Sequence, residues 1–290
     1  MEQTVSFKSD GFAIAASLRT PDDYRPGQRR PAFVVLHGFG TNRHAINVTK
    51  PCDFLSALGY VTLRFDMRGC GDSEGDRGRL ICLEQAEDTR NAAAWLAARP
   101  EVDPARVGLL GSSFGAAISL YAAGTDTRIA AVVSQGGWGN GERKFRGQHA
   151  TPEKWARFTA MLEEGKAYRA RTGTSLMVPR DDIVPIPPAL RGNLAPGSAS
   201  EFPAETAQSM FDFRAEDVVG RIAPRPLLLL HSSNDSVTPT YESIELFRRA
   251  GQPTDLHLFA ETEHFMFGEG NERVLRVVTD WLTKYFPATA

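Results

Sequence analysis

A chain of 290 residues, 42% hydrophobic and 23% charged with a net charge of −2, has room for one large α/β domain or a core with a sizeable insertion, and lies far from disordered or fibrous compositions. The basic pairs Arg29-Arg30 and Arg248-Arg249 are isolated and lack interleaved aromatics, which reads as solvated surface and argues against a nucleic-acid partner. Cys52, Cys70 and Cys82 lack zinc-type spacing, and neither a signal-type leader nor an apolar run of membrane-spanning length is seen, so reduced thiols, no membrane association and a cytoplasmic location are expected.

In chain order, residues 4–19 alternate polar and apolar around a turn at Ser9-Asp10-Gly11, which predicts an antiparallel hairpin at a sheet edge. The runs 32–37, 61–66, 107–111, 129–134 and 227–231 are short and almost continuously apolar, as strands buried on both faces of a parallel sheet are. Helical patterns at 52–58, 83–98, 116–123, 241–250 and 272–285 alternate with them, giving a doubly wound sheet. Residues 139–207 break the rhythm and carry a proline cluster at Pro185, Pro187 and Pro188, so they read as an inserted, largely helical cap on a core formed by 1–138 and 208–290. Inside it, Thr151-Pro152 predicts a helix start. Trp155, Phe158, Met161 and Leu162 then share a face that either glues the cap to the core or also lines an acyl pocket. Trp138, at the end of a strand where the cap begins, is expected to border the substrate pocket, with cap packing as the alternative.

The strongest chemical signal is Gly111-Ser112-Ser113-Phe114-Gly115, placed between an apolar strand and an alanine-rich helix. A G-x-S-x-G segment in that setting is a nucleophile elbow, in which a sharp strand-to-helix turn projects the central serine and small neighbours admit close backbone approach. Ser113 is therefore the candidate nucleophile; Ser112 lies one position early and should point the other way. A serine hydroxyl needs a base, and the base needs a partner that fixes its tautomer. Asp235 follows the apolar strand ending at His231, and His264 follows a predicted strand at 255–259. Residues at the carboxyl ends of parallel strands converge on one crevice. Among the other histidines, His37, His44, His149, His231 and His257, none sits in a late loop after an acid, while Asp255 and Glu263 are poorly placed to serve as that acid.

The elbow, the His37-Gly38-Phe39-Gly40 loop, the late Asp235 and His264, and the Asp66-x-Arg68-Gly69-x-Gly71-x-Ser73 turn together resemble the α/β-hydrolase superfamily across nearly the whole chain. Within it the chain looks most like the esterases and acyl-peptide hydrolases related to dienelactone hydrolase and the prolyl oligopeptidases. The resemblance implies the α/β-hydrolase fold, a catalytic triad of Ser113, Asp235 and His264, and an oxyanion hole made by the backbone amides of Phe39 and Phe114. It gives the Asp66–Ser73 turn a structural role, and matches no known cap to residues 139–207. The implied activity is hydrolysis of a carboxylic ester on a small acyl substrate through an acyl-serine intermediate, without cofactor or metal. Amide, thioester or carbon-carbon bond cleavage by the same residues are the alternatives, and a non-catalytic ligand receptor is a further one. Serine at the elbow argues against haloalkane dehalogenases and epoxide hydrolases, which place aspartate there. Gly136-Gly137-Trp138-Gly139 lacks dinucleotide-binding spacing, and an exposed cap or edge strand would permit a homodimer.

Overall fold

The computed structural model describes residues 1–268 and 270–288. Its centre is an eight-stranded sheet in the order β1-β2-β4-β3-β5-β6-β9-β10, formed by β1 (Glu2–Ser9), β2 (Phe12–Arg19), β3 (Arg30–Leu36), β4 (Val61–Phe65), β5 (Val102–Ser112), β6 (Ile129–Gln135), β9 (Leu227–Ser232) and β10 (Thr254–Phe259). The hairpin β1–β2 is antiparallel and turns through Asp10 and Gly11, both at positive φ; β2 joins β4 antiparallel, and the strands from β4 to β10 are parallel.

Strands that read as continuous apolar runs still obey a period of two, because each face has its own helical cover. Phe33, Val35, Leu228 and Leu230 pack beneath α1 (Ile46–Ala57) and α9 (Glu272–Tyr285). Ala32, Val34, Leu36, Leu227 and Leu229 face the cluster that includes α2 (Cys82–Ala97) and α3 (Phe114–Thr125). Helix α1 begins six residues before the predicted start at 52. Pro51, which resembles a helix-opening residue in sequence, lies inside it.

The chain leaves β3 toward β4 on one side and returns to β5 on the other, so the carboxyl ends of β3 and β5 flank the crevice of a topological switch point. Between β6 and β9 lie α4 (Gly141–Gln148), α5 (Pro152–Thr172), β7 (Met177–Pro179), α6 (Arg180–Ile183), β8 (Glu201–Pro203) and α7 (Ala204–Asp212). Thr151 caps α5 by accepting the Lys154 amide, and Gly173 closes it in the left-handed conformation. Helix α7 runs across residues 207 and 208, the expected boundary between cap and core. Helix α8 (Tyr241–Arg249) follows β9. Among the described residues, no helix is long and apolar enough to cross a membrane.

Candidate active site

Ser113 sits between the last residue of β5 and the first of α3 with φ 56° and ψ −116°, a backbone region that L-residues with a side chain avoid. The flanking glycines are sterically required. A Cβ on Gly111 would lie 2.2 Å from the Gly115 carbonyl oxygen, and one on Gly115 would lie 2.6 Å from the His37 oxygen. The Ser113 amide donates to the Gln135 carbonyl at 2.8 Å, tying the turn to β6. Ser112 is buried and its hydroxyl donates to Gln135 Oε1 at 2.7 Å, so it faces away from the crevice as a structural group.

His264 is buried and its Nδ1 lies 2.7 Å from Asp235 Oδ2. Asp235 has no exposed side-chain surface, and its other oxygen accepts the amides of Val237 and Thr238 at 2.8 and 2.7 Å. Burial alone would raise this carboxyl's pKa; the neighbouring His264 and the hydrogen bonds from His231 and His264 outweigh it and hold the group well below the usual carboxylate range. His231 stands behind the acid, with Nε2 3.3 Å from Asp235 Oδ2 and 3.0 Å from the Thr238 oxygen, and Nδ1 2.6 Å from Ser243 Oγ. Those partners fit an Nε2–H tautomer that accepts from Ser243. Glu263 accepts the amides of Ser236 and His264, fastening the two loops to each other. Gly136, at φ 62°, lets the backbone pass under the imidazole: a Cβ there would be 3.2 Å from His264 Cε1.

The His37–Gly40 loop lies against the elbow, with an ideal Cβ on Gly38 only 3.6 Å from Ser113 Cβ. Neither the Phe39 nor the Phe114 amide has a hydrogen-bond acceptor among the described residues, and Phe114 is the first residue of α3, where helix amides are left unpaired. His37 is fully buried. The Met67 amide donates to its Nε2 at 3.0 Å while Nδ1 reaches the Gly38 carbonyl at 2.8 Å, and burial lowers its pKa, as befits a neutral structural imidazole. Asp66 accepts the amides of Arg43 and Asp72 and pairs with the Arg43 guanidinium, so the Asp66–Ser73 turn is an internal scaffold away from the serine.

Ser113 and His264 line one cavity of about 30 Å³, room for roughly one or two water molecules. Phe39, Arg180, Val184, Ile186, Leu194, Val237 and Phe265 contribute to its walls. His264 Nε2 also has no hydrogen-bond partner among the described residues. The three aromatic residues expected at the pocket do not line it. Trp138 is buried edge-on against Phe213 with the Lys144 ammonium 5.6 Å from its ring, because β6 ends by turning inward toward α4. Trp155 and Phe158 stack together and meet Phe211, so the α5 stripe binds α5 to α4 and α7. Their places are taken by residues 180–194, whose proline-rich sequence shows no helical or strand period to locate its side chains. Gln135 and Arg180 carry no signal in the sequence, and His231 is legible there only as an alternative base; the Gly136-Gly137 pair, a turn signal directly after a strand, is the feature that could locate Gly136.

A serine at a strained elbow, a histidine hydrogen-bonded to a carboxylate from the next parallel strand, and the strand order combine with a match of residues 33–277 to the alpha/beta hydrolase family model. The chain belongs to the alpha/beta hydrolase family. It is similar to quorum-quenching protein AidA of Acinetobacter baumannii, with 29% identity over 98% of this chain and 95% of that protein. It is also similar to thiohydrolase aneE of Aspergillus aculeatus, with 25% identity over 88% of this chain and 87% of that protein. Among solved structures, the alpha/beta hydrolase GrgF of a Penicillium species superposes with a TM-score of 0.82 at 23% identity, covering 98% of this chain and 99% of that one.

Proposed function

We propose that the protein is a serine hydrolase that cleaves a carboxylic ester of a small acyl compound through an acyl-serine intermediate. The observation that carries this reading is the 2.7 Å contact of His264 Nδ1 with the buried Asp235, which leaves Nε2 unpartnered at the cavity shared with Ser113. In the proposed reaction His264 Nε2 takes the Ser113 proton as Oγ attacks the acyl carbon. The amides of Phe39 and Phe114 hold the oxyanion, and Nε2 returns the proton to the leaving alcohol. Water then attacks the acyl-serine with His264 again as base, releasing the acid and the free serine. Asp235 keeps Nδ1 protonated and compensates the imidazolium.

Residues 139–207 act in this reading as a cap, with Val184, Ile186 and Leu194 forming an acyl wall against Val237 and Phe265. A cavity of about 30 Å³ is far below the usual ligand-site volume, so the cap opens to admit substrate. The similarity to a protein named thiohydrolase favours a second reading, hydrolysis of a thioester by the same residues. A panel of p-nitrophenyl esters and acyl thioesters, run on wild type, Ser113→Ala and the control Ser112→Ala, tests both. The proposal requires turnover that is abolished in Ser113→Ala and at most reduced in Ser112→Ala, since the Ser112 hydroxyl only braces Gln135. Full activity in Ser113→Ala would overturn it, and turnover of thioesters alone would move the assignment to the second reading.

A further inference from the structure

Arg180 opens α6, far in sequence from the His37–Gly40 loop, yet its guanidinium is spent almost entirely on that loop and its neighbour. Nη1 donates to the Phe39 carbonyl at 2.7 Å, Nη2 to the Gly40 carbonyl at 3.1 Å, and Nε and Nη2 to the Ala199 carbonyl at 3.1 and 2.6 Å. The planar group packs against the rings of Phe39 and Phe202, 5.3 and 5.1 Å away, which themselves stack at 4.2 Å. Gly40 is glycine because a Cβ there would lie 2.3 Å from Phe202 Cζ and 2.8 Å from Arg180 Nη2.

Only 7% of Arg180 is exposed, and among the described residues no carboxylate pairs with it. Burying a cation without a counter-ion is costly, and carbonyl dipoles offset that cost only in part. Burial pushes its pKa down to about 10, which leaves it protonated at neutral pH. The loop gains a specific constraint in return. In a trans peptide the N–H points opposite to the C=O of the same plane. The Gly38 carbonyl is held by His37 Nδ1 at 2.8 Å, which aims the Phe39 amide the other way, and the Phe39 carbonyl is held by Arg180. Both peptide planes flanking the Phe39 Cα are therefore clamped. The same residue contributes to the wall of the cavity lined by Ser113 and His264.

We propose that Arg180 is a positioning residue of the oxyanion site: it fixes the Phe39 amide toward the cavity and places a positive charge, without a counter-ion, beside the oxygen that becomes anionic. This rests on the acyl-serine reading above. It also gives the inserted stretch a part in the chemistry, because the oxyanion site is complete only when α6 is seated on the loop. Interactions that strengthen as the oxyanion forms appear in kcat rather than KM.

The test compares wild type, Arg180→Ala and Arg180→Lys for kcat, KM and Tm on a p-nitrophenyl ester, together with the rate of labelling by a fluorophosphonate. Arg180→Ala is expected to lose about 10²- to 10³-fold in kcat, the scale of an oxyanion donor, with KM within about threefold. Arg180→Lys, which keeps charge but cannot fork to three carbonyls, falls between. Methylguanidinium restores part of the kcat of Arg180→Ala, and methylammonium does not. An unchanged kcat in either variant overturns the proposal, as does a loss confined to KM. If Arg180→Ala does not fold, Arg180→Lys alone decides. Wild type that is never labelled overturns the acyl-serine reading and this one with it; wild type labelled at Ser113 beside unaffected Arg180 variants overturns this one only.

Discussion

Gln135 joins His264 to the elbow: its side-chain amide donates to the His264 carbonyl at 2.7 Å, while its own backbone carbonyl accepts the Ser113 amide at 2.8 Å. The remaining side-chain oxygen takes the Ser112 hydroxyl, and the residue is wholly buried. One residue at the end of β6 thus sets the register between Ser113 and His264. Gln135→Leu orphans a buried hydroxyl and a buried carbonyl, at about 1–3 kcal/mol for each such group, and frees the His264 loop to shift. Urea unfolding should show that loss, and ester turnover should fall by about tenfold or more, as misplacement of a catalytic group does. Wild-type turnover in a destabilised variant would show that the two loops are held independently.

Gly136 offers a separate test of imidazole placement. Its φ of 62° costs alanine about 1–2 kcal/mol, and the added methyl would stand 3.2 and 3.3 Å from His264 Cε1 and Nδ1 and 3.7 Å from Asp235 Oδ2. Gly136→Ala should therefore lower Tm modestly and lower kcat disproportionately. A kcat loss no larger than that of a surface substitution of equal Tm would mean that the ring yields without consequence.

The layered core was legible because strand and helix patterns alternate and because Gly111 and Gly115, where a Cβ would clash, bracket Ser113 at the spacing of a strand-to-helix elbow. Asp235 and His264 were legible because each follows a strand late in the chain, and parallel strands bring such loops to one edge. What stayed hidden was lateral contact. Gln135 ends an apolar strand like any polar terminus, and His231 differs in sequence from an ordinary strand residue only by being polar. Arg180 reaches Phe39 across 141 positions. The cavity wall was not legible, because aromatic stripes are conspicuous in sequence whereas Val184, Ile186 and Leu194 lie in an aperiodic segment. Trp155 and Phe158 satisfy the same apolar period by packing helices α4, α5 and α7 together.

Lys144 is 2% exposed, its ammonium has no hydrogen-bond partner among the described residues, and it lies 3.8 Å from the centre of the Phe145 ring. Burial pushes its pKa down to about 7, against about 10.4 for a free lysine. Between those values the unfolded chain holds a proton that the folded one does not, so this residue makes stability rise with pH. Lys144→Met removes the penalty. The variant should be more stable than wild type by on the order of 4 kcal/mol at pH 7, with the gap narrowing toward about pH 10. Denaturant melts at the two pH values measure it, and a gap that does not change with pH would mean that the amine is solvated in solution.

Asp235 has the opposite sign. Its folded pKa lies below that of a free aspartate, about 3.9, so the ionised carboxylate stabilises the folded state, fully above that value and progressively less as pH falls below it. In Asp235→Asn one oxygen can still accept the Val237 and Thr238 amides, but the new NH2 must face His264 Nδ1 and His231 Nε2, both donors in the wild type. Wild type should therefore exceed Asp235→Asn in stability at pH 5–7, and the difference should begin to narrow as pH falls below about 4, shrinking steadily at more acid pH. The amide also turns His264 into the tautomer with its proton on Nε2, which cannot accept one from Ser113, so kcat should fall by about 10⁴. Chemical denaturation across pH and ester turnover at neutral pH read the two effects separately. A stability gap that shows no narrowing at all as pH falls below about 4 would locate the contribution in packing rather than charge, and an undiminished kcat would remove Asp235 from the reaction altogether.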